Sequence, residues 1–134
     1  MALLNNHVDT QIGPASMFFI FSKEDSEDKD LEAEFEKALL PLEEVLQSGG
    51  PYMMGNDFTL ADVHFLPFYL RLRVTLKHFK GYDLTRNKKF PELEQWFLLC
   101  SEKESVKAAA KSPEEIIEVY EMLMKSNSAW TRKN

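Results

Sequence analysis

Cysteine is nearly missing from this sequence: Cys100 is the only one in 134 residues. A lone cysteine excludes an intrachain disulfide framework and every CxxC or multi-cysteine zinc site. The three histidines, His7, His64 and His78, have no HxH or HxxxH spacing, so no paired-histidine metal site is written into the chain. Glycine and proline are sparse, at five and six residues. Few tight turns are therefore available, which disfavours a many-stranded all-β fold. No apolar run approaches the roughly 20 residues that a membrane helix needs. Residues Met1 to His7 have neither the basic start nor the long apolar run of a secretory signal, so a cytoplasmic setting is expected. Basic excess is missing as well. A net charge of −6 argues against a general nucleic-acid binder.

What is present is material for one compact domain: 44% hydrophobic residues, 12% aromatic and 28% charged. Helical spacing dominates. Leu4, Val8 and Ile12 form an apolar stripe, and Gly13-Pro14 predicts a kink or restart, because proline lacks a backbone donor and crowds the preceding turn. The run Met17-Phe18-Phe19-Ile20-Phe21 is apolar all round, which suits core packing or the wall of an apolar pocket. A second helix is predicted over about 27–47, with Leu31, Phe35, Ala38, Leu39, Leu42, Val45 and Leu46 inward, ended by Gly49-Gly50. From Lys23 to Lys37 eight acids face three lysines. No Asp-x-Asp-x-Asp-Gly calcium loop occurs there, so the stretch reads as a solvated face. The basic stretch from Arg71 to Lys89 reads as an inter-helix salt-bridging face, or as a surface for an acidic partner such as residues 24–36 of a second copy.

The most informative stretch is Phe58-Thr59-Leu60-Ala61-Asp62-Val63. Thr59 is a good N-cap, Asp62 at N3 can reach back to its amide, and Phe58 with Val63 forms a hydrophobic staple. The helix so launched runs to about Phe79 and, with Leu66, Leu70 and Val74, reads as the central buried one. Helices are further predicted over about 91–101 (Leu93, Trp96, Phe97 and Cys100 inward), 103–110 and 112–125 (Ile116, Val119, Tyr120 and Leu123 inward). Ser112-Pro113-Glu114-Glu115 is a strong start for the last. The fold expected is all-α: five or six helices around a buried, N-capped central helix, over residues 1–125, with a polar tail at 126–134. Asp62 and Thr59 read as structural. Cys100, near a helix C-terminus where the dipole disfavours a thiolate, reads as a core residue.

Gly55-Asn56-Asp57-Phe58-Thr59-Leu60-Ala61-Asp62 resembles the G-x-x-(F/M/V)-(S/T)-x-x-D capping box of the glutathione transferase C-terminal helical domain. Gly50-Pro51-Tyr52 before it and Phe90-Pro91-Glu92-Leu93-Glu94-Gln95-Trp96 after it resemble the family's approach to that helix and the start of the next. Val74 to Lys80, followed by Tyr82-Asp83, is similar to the cysteine-type subgroup: dehydroascorbate reductases, chloride-intracellular-channel proteins, and the lambda and omega transferases. The resemblance implies glutathione as co-substrate of a parent enzyme, a small electrophilic or oxidised substrate, and a dimer. It implies that Phe18, His78 and Trp130 border the substrate. The family's thioredoxin-like N-terminal domain, which binds glutathione and carries the nucleophile, has no counterpart in this sequence, so no catalytic residue is expected here. The missing neighbour would be that domain or another copy of the chain. The alternative is a non-catalytic protein-interaction module of the same C-terminal type.

Overall fold

A computed structural model describes residues 2–22 and 28–126. Every regular element among them is helical: α1 (Ala2–His7), a π-helical turn (Val8–Ile12), α2 (Gly13–Phe21), α3 (Asp28–Gly49), α4 (Leu60–Lys80), a 3-10 turn (Leu84–Arg86), α5 (Pro91–Ser101), α6 (Glu104–Ala109) and α7 (Pro113–Ser126). With α1, the π turn and α2 taken as one composite rod, these are six helices. None is long and apolar enough to cross a membrane, among the described residues.

The interruption expected at Gly13-Pro14 is a widened winding and not a break. The Gly13 amide donates to the Val8 carbonyl, five residues back. The wider turn relieves the crowding between a proline ring and the carbonyl four residues earlier. Val8 and Ile12 stay buried through it. His7 Nε2 donates to the Ala38 carbonyl at 2.6 Å and ties the rod to α3.

α4 is central and packs against α1, α2, α5 and α7. It runs unbroken across Pro67, as α3 does across Pro41. It ends at Gly81, whose φ of 67° is left-handed, with Tyr82 N–H donating to the Leu76 carbonyl at 3.0 Å. Only a residue without a Cβ takes that conformation at little cost. The core holds two aromatic groups. Phe65, Tyr69, Trp96 and Phe97 join α4 to α5, with Phe65 stacked on Trp96 at 5.5 Å. Phe19, Phe35 and Tyr82 join α2, α3 and the end of α4. Such pairs add about 0.5–1.5 kcal/mol each beyond the area they bury.

The burial pattern departs from the expectation at two valines. Val63 and Val119 are 49% and 50% exposed. The helix-4 positions that are buried are Ala61, Asp62, Phe65, Leu66, Tyr69, Leu72, Thr75 and Leu76. Leu70 and Val74 are half-buried. On α5 the expected inner residues Leu93, Trp96, Phe97 and Cys100 are all buried. α7 buries Ile116 and Tyr120, while Leu123 is half-buried.

The charge complementarity between the acidic and basic stretches is used within the chain. Lys80 pairs with Asp28 at 3.2 Å and Lys89 with Glu36 at 2.7 Å. Glu36 also accepts from the Tyr82 hydroxyl at 2.6 Å and from Asn87. These α3 acids are thus consumed by α4 and the loop after it.

Candidate functional site

The site begins at residue 62. The Asp62 carboxylate is fully buried and gathers its donors from three segments. It accepts from the Thr59 amide at 2.9 Å and the Thr59 hydroxyl at 3.4 Å, closing the capping box. It accepts from the Met53 amide at 3.0 Å and from Trp96 Nε1 at 2.7 Å. A buried carboxylate is tolerable only when so satisfied, and its place in the first turn of α4 adds the favourable helix dipole. The loop that offers Met53 is shaped by glycine. Gly50 has φ 111°, and a Cβ there would lie 3.1 Å from the Gly55 carbonyl.

A second buried carboxylate repeats the device. Glu43 of α3 accepts from the Glu92 and Leu93 amides at 3.0 and 2.9 Å and so caps α5 from outside. Gln47 also donates to it at 3.1 Å. Half-buried Glu94 then takes two bonds from Arg73, at 2.7 and 3.2 Å, and one from the Tyr69 hydroxyl. The Arg73 guanidinium lies 4.2 Å from the centre of the Phe97 ring. Glu43 and Glu94 do not stand out locally in the sequence. The available signal for Glu43 is its register, since it falls on the apolar stripe between Leu39 and Leu46.

The opposite flank of α4 is open. Between α4, the end of α5, α6 and α7 lies an apolar cleft of about 730 Å³. Its floor includes Val63, Leu66, Pro67 and Leu70 of α4, with Phe97 of α5. Val106 of α6 and Ile116, Val119 and Tyr120 of α7 form the facing wall. Phe58 stands at one end, with the Lys103 ammonium 4.7 Å from its ring centre. The staple pair Phe58 and Val63 therefore serves as cleft lining. The charged residues around it are Arg71, Lys107 and Lys111.

Cys100, Tyr69 and Tyr82 are pushed toward their protonated forms. Burial, then the Asp62 charge, pushes the Cys100 thiol up to about 12. Burial and Glu94 raise Tyr69, and burial with the Glu36 hydrogen bond raises Tyr82. No cluster of histidine, cysteine and acids able to hold a metal ion occurs among the described residues.

Of the residues expected at the substrate, Phe18 lies on α2 and is 43% exposed. His78 sits in the last turn of α4, 4.0 Å from Glu121 of α7 and edge-on to Phe79. Neither is among the described residues that line the cleft. Trp130 lies outside the described residues. Thr59 and Asp62 form the capping box at the start of α4.

Comparison with known proteins agrees with this architecture. The family described as glutathione S-transferase, C-terminal domain, matches residues 11–109. A 53-residue segment is 42% identical to the probable cytosolic glutathione S-transferase DHAR1 of Oryza sativa subsp. japonica, covering 37% of this chain and 25% of that protein. Among solved structures, the rice transferase OsGSTU1 in complex with glutathione superposes with TM-score 0.80 at 19% identity, over 95% of this chain and 55% of that one. The trimeric glutathione transferase TDR1 of Leishmania gives 0.75 at 24% identity, over 91% and 27%. Glutathione transferase Omega 3C of Trametes versicolor gives 0.72 at 25%, over 94% and 53%. The chain thus spans about a quarter to about half of the length of these relatives. With the buried Thr59–Asp62 clasp, the helical architecture and the match over residues 11–109 in agreement, this chain belongs to the glutathione S-transferase C-terminal domain family.

Proposed function

We propose that this chain is the helical half of a glutathione-dependent transferase or thiol reductase. In that role it supplies the hydrophobic wall for a small electrophilic or oxidised substrate, and not the nucleophile. The observation that carries the reading is the cleft of about 730 Å³, apolar on both sides, in a chain whose only thiol is buried and pushed up to about 12. Apolar concavities of this size are the usual form of small-molecule sites. Phe18 and His78, which do not line this cleft, and Trp130 are proposed as substrate contacts on the family resemblance alone. Glutathione itself is assigned to a thioredoxin-like partner domain.

Leu60, Val63 and Val119 are at least half or nearly half exposed, which supports a neighbour over this flank: the thioredoxin-like domain or a second copy in a dimer. A cytosolic setting, as in the name of the rice relative, suits a single reduced thiol. The test is turnover. The chain alone, given glutathione with chlorodinitrobenzene or with dehydroascorbate, is expected to show no rate above the uncatalysed one, and Cys100→Ser is expected to change nothing. Robust turnover by the chain would refute the reading.

A further inference from the structure

We propose that Ser112, at the corner between α6 and α7, is a phosphorylation site for a proline-directed kinase, and that the added phosphate displaces the Glu115 carboxylate from the start of α7. In 134 residues Ser112 is the one serine or threonine that precedes a proline. The proline has a physical consequence. It bars the residue before it from helical backbone and holds it extended, and an acceptor hydroxyl is laid across a kinase cleft in extended chain. The structure meets that demand. Residues 110–112 join α6 to α7 outside either helix, and Ala110 is extended, with φ −70° and ψ 135°. Ser16, Ser48, Ser101 and Ser105 lie inside helices instead, and Ser16 is also buried. The corner is accessible as well. Residues 107–111 and 113–115 are exposed and Ser112 is half-buried. The bonds that hold Ser112 are short-range. Its hydroxyl accepts from the Glu115 amide at 3.2 Å, its amide donates to Glu115 Oε1 at 3.1 Å, and its carbonyl accepts from the Ile116 amide at 3.2 Å. Lifting this segment into a kinase therefore unwinds the first turn of α7 and leaves the Asp62 and Glu43 carboxylates with their donors.

In the transfer, Ser112 Oγ bonds to the γ-phosphorus of ATP and the bond from that phosphorus to the β,γ-bridging oxygen breaks. The hydroxyl proton passes to the kinase's catalytic base, and ADP leaves. The product carries about −1.5 to −2 charges at pH 7. Its oxygens keep the Glu115 amide as a donor and meet the favourable end of the α7 dipole. The Glu115 carboxylate, which bonds from Ser112 hold below its ordinary value of 4.5, then faces a like charge and is expelled. Lys107 and Lys111 line the cleft beside Ala109 and Ala110, so the phosphate also offsets positive charge along this edge. The inference goes beyond the proposed function and does not depend on what the cleft binds.

The test is incubation of the full folded chain with magnesium ATP and a kinase of the mitogen-activated, proline-directed class, with the phosphate mapped by mass spectrometry. One phosphate per chain is expected, at Ser112. Ser112→Thr, which keeps a capping hydroxyl before the proline, should still accept it, and Ser112→Ala should not. Pro113→Ala keeps the hydroxyl and suits a helix start, so it should fold normally; its rate at Ser112 should fall about tenfold, as the preset extended backbone is lost. Absence of phosphate from Ser112, or an undiminished rate in Pro113→Ala, would overturn the site. A second readout follows the Glu115 carboxyl by NMR through an acid titration. In the phosphorylated chain it should titrate at higher pH than in the unmodified one. A Glu115 carboxyl that does not move would overturn the displacement.

Discussion

The two flanks of α4 are held by different forces. Toward α3 and α5, the buried carboxylates of Asp62 and Glu43 collect seven hydrogen bonds: from the Met53 loop, the starts of α4 and α5, Trp96, and Gln47 one turn along α3. Toward α6 and α7 the described residues form no buried carboxylate clasp, and the polar link between α4 and α7 is His78 with Glu121, 4.0 Å apart at the surface. α6 buries none of its residues, and α7 buries Ile116 and Tyr120. Directional bonds in a low-dielectric interior fix helices relative to one another. Apolar contact alone leaves a wall free to adjust. The rigid flank therefore sets the position of α4, and the looser flank leaves Val63 and Val119 about half exposed.

The sharpest way to break this contrast is Asp62→Ala, which leaves the Met53 and Trp96 donors buried and unpaired and the part-buried Thr59 amide uncapped. A loss of about 4 kcal/mol is expected by urea unfolding. Glu43→Ala uncovers the Glu92 and Leu93 amides at the start of α5 and should cost about 3 kcal/mol in the same measurement.

A smaller, pH-limited effect is expected at Glu36. Burial opposes its ionisation, but hydrogen bonds from Lys89, Tyr82 and Asn87 outweigh it and hold the carboxyl below the ordinary value of 4.5. A lowered carboxyl stabilises the fold above that ordinary value, and the gain disappears as pH falls through the folded-state value. Glu32 works in the opposite direction, raised by burial and by the Glu36 charge. Glu36→Gln removes the first effect and relieves part of the second. Thermal unfolding midpoints should therefore fall less on acidification below about pH 4.5 in the variant than in the parent. The smallest change is Val119→Ala on the cleft wall. At 50% exposure it should shift stability by no more than about 0.5 kcal/mol, while weakening an apolar cleft ligand.

The legibility of the fold follows the same division. Thr59 and Asp62 are three residues apart, so their clasp is local and can be read from spacing. Ser112 and Glu115 repeat it at α7, with amide bonds of 3.2 and 3.1 Å in the two directions. Glu43 meets amides 49 and 50 positions away, and no local pattern announces such a partner. The link between Lys89 and Glu36 is equally remote, which is why the acidic and basic stretches can be mistaken for surfaces awaiting a second molecule. Val63 and Val119 show a different limit. Helical spacing marks a residue as apolar-facing but does not tell a filled core from the wall of a cleft. Pro14 forecasts a disturbance in the first rod, but proline alone does not say whether the chain will break or widen.

Native-state amide exchange tests the contrast most directly. The Met53 and Thr59 amides, both bound to Asp62, are predicted to exchange only through global unfolding. The Lys107 and Ala110 amides, bonded at the two ends of α6 to the Lys103 and Val106 carbonyls at 3.0 Å, should open at markedly lower free energy. Equal protection at the four positions would contradict the account of a clasped framework carrying an adaptable wall.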